Sequence, residues 1–187
     1  MAAPALVDAT IRRNVLLQRY IRGEEHKAIR ELNKLSKEVA TRIKAEGDTL
    51  RAGGLHDLYA DINLIIDSIY AKINEQIDKS NTGIAVSEAK HSKATVSQSF
   101  TVDLSLPSNE QIEGYVRKSI LVDGESVAVS EAIKRFSARK SAEITDAINA
   151  GFALGDTTSK ITSNVKGLMR GLHTRQVRAI VHTSITN

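Results

Sequence analysis

LHDLYADINLIIDSIYAKINEQIDKS, residues 55–80, decides the fold class. Leu58, Ile62, Ile65, Ile66, Ile69, Ile73 and Ile77 recur at spacings of three and four, which gathers them on one broad face of an α-helix. Upstream, Ala28, Leu32, Leu35, Val39 and Ile43 form a narrower stripe within a second helical stretch over residues 8–46. Glu24, Glu25, Glu31 and Glu38 alternate with Lys27, Arg30, Lys34 and Lys37, and all are read as lying outside that stripe. Gly23 is a weak point in the middle, costing about 1 kcal/mol relative to Ala. Gly47, followed by Asp48 and Thr49, is the predicted stop, and Gly53-Gly54 separates the two helices. Two amphipathic helices joined by a short glycine-containing loop predict an antiparallel hairpin over residues 1–80. Neither helix can bury its stripe alone. The stripes must meet each other, another part of the chain or a neighbouring subunit, and the shortage of aromatic bulk points to the subunit.

Downstream the texture changes. Ser, Thr, Lys and Ala dominate residues 80–99, with Asn81 and Gly83 interrupting the helical pattern, and Phe100, Val102, Leu104 and Leu106 alternate with polar residues before Pro107. Period-2 alternation is the mark of extended chain, so residues 81–107 read as a linker or extended arm. Its apolar residues suit addition to a partner's sheet edge, or packing on their own domain.

Helical signals resume in a small C-terminal region over 108–187. Ser108 and Gln111 form a capping box, with Ile112, Val116, Ile120 and Leu121 as the apolar face behind it. Asp123-Gly124 marks a turn. A helix is expected from Ser126 or Ser130 to Phe152, then Gly155 as a stop with Asp156, Thr157 or Thr158 as the next cap. A shorter helix carries Ile161, Val165 and Leu168, Gly171 ends it, and a last one from Thr174 carries Val177, Ile180, Val181 and Ile185. The overall expectation is a mainly α chain: a long N-terminal hairpin, an extended arm and a small helical domain. The chain stops at Asn187 without a clear helix C-cap, the pattern expected either where a longer natural chain continues or where a natural end frays.

Composition bounds function. Hydrophobic residues make up 41% and aromatics 4%, with no Trp and no Cys. No disulfide framework exists, and no apolar run approaches the roughly 18–20 residues that span a bilayer. The N-terminus lacks a basic segment followed by an apolar stretch, so synthesis in the cytoplasm is the expectation. The net charge of +4 is uneven: basic over residues 1–52 and 108–187, acidic over 53–107. Basic ends around an acidic middle favour head-to-tail contacts or contact with nucleic acid. None of His26, His56, His91, His173 and His182 stands four residues from another, the helical metal-pair spacing. Neither a phosphate-binding Gly-x-x-x-x-Gly-Lys-Ser/Thr loop nor a Gly-x-Ser-x-Gly elbow occurs. The expectation is a protein without catalysis or cofactor. Lys160, Lys166, Arg170, Arg175 and Arg178 stand against Asp156 alone within 156–187, a local excess suited to DNA phosphates or an acidic protein surface, or else to ordinary basic helix ends that complement the helix dipole.

From Val122 onward the sequence reads VDGESVAVSE, then a long helix ending ITDAINAGFALGDTTSKI, and finally TRQVRAIVHTSITN. This order resembles the phage Mu F-type minor head ("head morphogenesis") proteins of tailed bacteriophages. Members show a turn before a long helix, a glycine pair with a small polar cap, and a final helix with an Arg-Thr-Glu-like signature followed by Asn. The matching positions here are Gly151 and Gly155, the cap run Asp156-Thr157-Thr158-Ser159, then Thr183 and Asn187. His182 and Ser184 depart from the signature, so only Thr183 of the triplet is kept, which puts in doubt any role tied to the missing Arg and Glu. The resemblance covers about 65 residues, a third of the chain. It implies a low-copy virion protein in the head interior or near the portal, binding portal or major capsid protein as a homo-oligomer, beside packaged double-stranded DNA and away from any membrane. Alternatives are an internal ejection protein released with the genome, or the delivery module of a longer toxin or ADP-ribosyltransferase.

Overall fold

The computed structural model describes residues 3–99, 105–116, 119–122, 125–170 and 172–186, and the fold is mainly α-helical. Helix α1 spans Ala3–Lys44 without a break at Gly23. Its stripe residues from Ala28 to Ile43 are all buried. Arg42 and Lys44 in the last turn complement the negative end of the helix dipole. Gly47 then reverses the chain with φ +89°, the left-handed region where a side chain is strained. After a single 3-10 turn, Ala52–Gly54, helix α2 spans Leu55–Ser99. Arg42 locks the turn end of the hairpin, bonding Glu46 and, at 2.6 Å, Asp61 of α2.

Residues 81–99 are therefore helix, where the sequence pattern predicts an arm. Low intrinsic propensity at Asn81, Thr82 and Gly83 is overridden by packing along α1. Tyr20 Oη comes within 3.8 Å of where a Cβ on Gly83 would stand. Arg13 reaches Ser87 at 3.3 Å and also pairs with Glu88, and Ile84, Ala85 and Val86 are half-buried.

Helix α3, Asn109–Val116, opens with the expected reciprocal box. The Ser108 amide donates to Gln111 Oε1 at 2.9 Å, and the Gln111 amide donates to Ser108 Oγ at 3.3 Å. Ile120 and Leu121 do not continue its face. They belong to strand β1, Ser119–Val122, paired antiparallel with β2, Glu125–Ala128, in the register Ile120 to Val127 and Val122 to Glu125. A β-branched, short run flanked by turn residues favours strand over helix. Asp123 and Gly124, the predicted turn, lie outside the described residues, as does Gly171. Helices α4 (Val129–Ala153), α5 (Thr158–Leu168) and α6 (Leu172–Thr186) complete the chain.

One hydrophobic core joins both ends of the sequence. Leu35, Val39 and Ile43 of α1 and Leu58, Ile62, Ile66, Ile69 and Ile73 of α2 pack with Ile144 and Ile148 of α4, Ile161 and Val165 of α5, and Val181 of α6. Each fully buried Ile or Leu contributes about 1.5–3 kcal/mol of transfer free energy, so branched aliphatics substitute for the missing aromatic bulk. The Ile-rich stripes find their cover inside the chain, not on a neighbour as the composition suggested. Beyond Ala28 and Ile77 this main core ends, while α1 and α2 continue side by side as a distal stalk.

Candidate interaction surfaces

The glycine-and-cap segment forms the corner between α4 and α5. Gly155 has φ +69°. Its amide donates to the Phe152 carbonyl at 3.0 Å, and the Asp156 amide donates to the Gly151 carbonyl at 2.9 Å, the paired bonds of a Schellman stop. Thr157 then caps α5, its Oγ1 accepting from the Lys160 amide at 3.3 Å. Gly151 serves packing: a Cβ there would stand 2.5 Å from Ile161 Cγ1. The two glycines thus act differently, one for backbone conformation and one for close helix approach. Thr158, one of three cap residues considered from sequence, ties this corner to the hairpin turn instead. Its Oγ1 donates to the Gly47 carbonyl at 2.5 Å and its amide to the Asp48 carbonyl at 3.0 Å.

The remaining sequence-predicted residues divide. Lys160 pairs with Asp156 at 2.6 Å and is engaged within its own helix start. Lys166 is half-buried near the end of α5, and Arg170, Arg175 and Arg178 are exposed on the following turn and α6. None of these four has an ion-pair partner among the described residues. Thr183 is half-buried within α6, and Asn187 lies outside the described residues. Of the proposed arm, Phe100, Val102 and Leu104 lie outside them too, while Leu106 is 44% exposed.

A site the sequence reading missed sits where core gives way to stalk. Glu24 is buried, against the expectation that it lies outside the stripe. Its carboxylate accepts from Lys27 Nζ at 2.6 Å, Ser80 Oγ at 2.6 Å and Gln76 Nε2 at 3.1 Å. Gln76 also donates to the Glu24 carbonyl at 3.2 Å. Burial alone would raise this carboxyl, but the hydrogen bonds from Lys27, Ser80 and Gln76 outweigh it and hold the group below the usual glutamate range. The legible signal was spacing: Glu24 precedes Ala28 by four and so extends the stripe. A carboxylate saturated with donors is poorly placed to accept a substrate proton. Its evident work is to fix the register of α1 against α2, as buried polar residues do in coiled coils. Tyr70 is buried beside the charge of Glu143, and both burial and that charge push its hydroxyl well above the ordinary tyrosine range.

Among the described residues no group of three or more His, Asp or Glu is arranged to hold a metal ion, and no helix is long and apolar enough to cross a membrane. No protein-family model, curated protein or solved structure matches the chain.

Proposed function

We propose that this chain is a structural minor head protein of a tailed bacteriophage, acting through interfaces with portal or inner capsid protein during head assembly and DNA packaging or delivery, and not through catalysis. The observation that carries the reading is the resemblance over residues 122–187, whose small residues have distinct physical work: Gly151 for close approach, Gly155 for the left-handed stop, Thr157 for the cap. Lys166, Arg170, Arg175 and Arg178 supply positive charge for packaged DNA or an acidic portal surface. The test is the protein composition of purified particles from a phage carrying this gene, together with capture on purified portal. A few copies per particle and recovery on the portal are expected. Absence from mature particles and from assembling heads overturns the proposal.

A further inference from the structure

Helix α1 is held to its surroundings unevenly along its length. From Ala28 to Ile43 its stripe residues are all buried in the shared core. Among residues 7–22 only Ile21 is buried, and it lies outside that core. Val7, Ile11, Val15 and Leu16 are exposed. The first half of α1 therefore lies along α2 with little apolar burial to keep it there, the condition under which a segment opens while the rest of a fold stays closed.

The seam beneath this half is loose as well. A cleft of about 240 Å³ is lined by Arg13, Leu16, Leu17 and Tyr20 of α1 and by Gly83 and Ile84 of α2, where a close-packed helix pair would interdigitate. Tyr20 Oη stands 3.5 Å from the Ser80 carbonyl, at the outer limit of a hydrogen bond. Arg13 Nε is buried with no hydrogen-bond partner among the described residues, a cost that hydration removes.

Two polar contacts bound the segment. On the core side the Glu24 carboxylate accepts from Gln76 and Ser80 of α2. Further out, Arg13 bonds Ser87 at 3.3 Å and pairs with Glu88. The side chains of that pair are 22% and 41% exposed, so solvent and salt reach it. Gly23 stands between the two contacts. Its φ is not positive, and a Cβ there would meet nothing within 4 Å. Neither backbone conformation nor packing calls for glycine. What glycine does at this position is weaken the helix interior relative to Ala, and glycine is among the few identifiable causes of a helix kink.

We propose that the first half of α1 is a strap that swings away from α2 about Gly23, with the Arg13–Glu88 pair as its latch and the Glu24 bonds as the fixed end of its travel. Closed, the strap narrows the cleft between Leu17 and Ile84. Open, it presents both to the surroundings. The core beyond Glu24 keeps its packing in either state, because Ala28, Leu32 and Leu35 remain in the shared cluster.

The chain has no native cysteine, so spin labels on introduced cysteine pairs report distances without background. Asn14→Cys with Lys90→Cys spans the stalk, and Glu38→Cys with Leu64→Cys spans the core half; all four positions are exposed. Double electron–electron resonance on the full chain is expected to give one narrow distance for the core pair. The stalk pair is expected to give a second, longer distance. The ratio of long to short rises at least about threefold between low salt and roughly 1 M salt, where the screening length falls to about 3 Å. Glu88→Gln raises it likewise, and Arg13→Glu combined with Glu88→Arg returns it to the wild-type ratio. Gly23→Ala, for which the closed strap has room, lowers the ratio about fivefold, the population equivalent of the helix preference of Ala over Gly. A single narrow stalk distance at every salt concentration overturns the proposal. So does a Gly23→Ala ratio equal to the wild type, or a Glu88→Gln ratio no higher than the wild type. Equal broadening of both pairs overturns it too, since the looseness would then belong to the whole hairpin and not to a hinge.

Discussion

Gly151 and Glu24 show how single positions set this fold. With a virtual Cβ 2.5 Å from Ile161 Cγ1, Gly151→Ala forces α4 and α5 apart or Ile161 off its rotamer. Overpacking of this kind costs about 1–3 kcal/mol. A thermal melt should show the loss, and adding Ile161→Val, which shortens the obstructing side chain, should recover part of it. If Gly151→Ala melts with the wild type, the close approach carries no energetic weight. Glu24 gives a pH dependence with a definite sign. Its folded-state pKa is depressed below the ordinary glutamate value of about 4.5, so the unfolded state binds the proton more readily. The stabilisation is fully present above about pH 4.5 and is lost as pH falls through the lower folded value. Glu24→Gln should therefore lower stability at pH 7 and flatten the acid limb below about pH 4.5, measured by urea unfolding across pH. An unchanged acid limb would show that the Lys27, Ser80 and Gln76 bonds do not favour the charged form. Residue by residue, positions that obey a spacing rule were legible: Gly47, Gly155, Ser108 with Gln111, and every stripe residue from Ala28 to Ile77. Glu24 obeys the same spacing, four residues before Ala28, but a charged side chain in stripe phase is ordinarily solvated, so its burial rests on donors 52 and 56 residues away, Gln76 and Ser80, that no local pattern announces.

At the scale of elements, the long helices and their turn were readable because each bears many turns of consistent periodicity, and the errors fall where local signals are weak or short. Residues 81–99 are rich in Ser, Thr and Ala with a glycine, and a window of such residues carries little helical preference by itself. The partner helix supplies it through Tyr20 and Arg13, contacts separated by 60 residues or more. The β1–β2 hairpin escaped for the converse reason: Ile120 and Leu121 also fit the phase of α3, and four-residue strands are too short for alternation to outvote it. The basic residues of α6 belong to this scale too. Arg175 and Arg178 are three apart on one helix and both exposed, so they meet a phosphate backbone together or not at all. If α6 touches duplex DNA, replacing both by Ala should weaken binding of a random duplex. The magnitude of the slope of log affinity against log salt should fall by about 1.8. Filter binding across a salt series measures this, and an unchanged slope removes α6 from the DNA contact and leaves the acidic protein surface as its partner.

For the molecule as a whole, the decisive fact is that the N-terminal hairpin and the C-terminal helices share one apolar core. Division of the sequence into a hairpin and a C-terminal region looked natural because composition changes near residue 80 and charge changes sign near residue 107. The division does not extend to energetics. Ile66, Ile69 and Ile73 of α2 lie in the cluster that also holds Ile144 and Ile148 of α4, and Ser137 Oγ donates to Asp67 across the same interface at 2.8 Å. Thr158 closes the other side onto the Gly47–Asp48 turn. A fragment comprising residues 1–107 would keep the stalk, the Glu24 cluster and the Arg42 pairs, yet expose the isoleucines that α4, α5 and α6 cover. Hairpins of this length gain most of their stability from tertiary cover and not from intrinsic propensity. Losing the burial of even four such side chains removes on the order of 6–12 kcal/mol, comparable to the entire stability of a domain this size. The full chain should therefore unfold in urea as one transition, with circular dichroism and hydrogen exchange of the α1 and α2 core amides reporting the same midpoint. The 1–107 fragment should show a broad, non-cooperative melt or aggregate. A fragment that instead melts sharply at the temperature of the full chain would mean that α1 and α2 bury enough surface between themselves. The C-terminal helices would then be a passenger on the hairpin instead of part of its core.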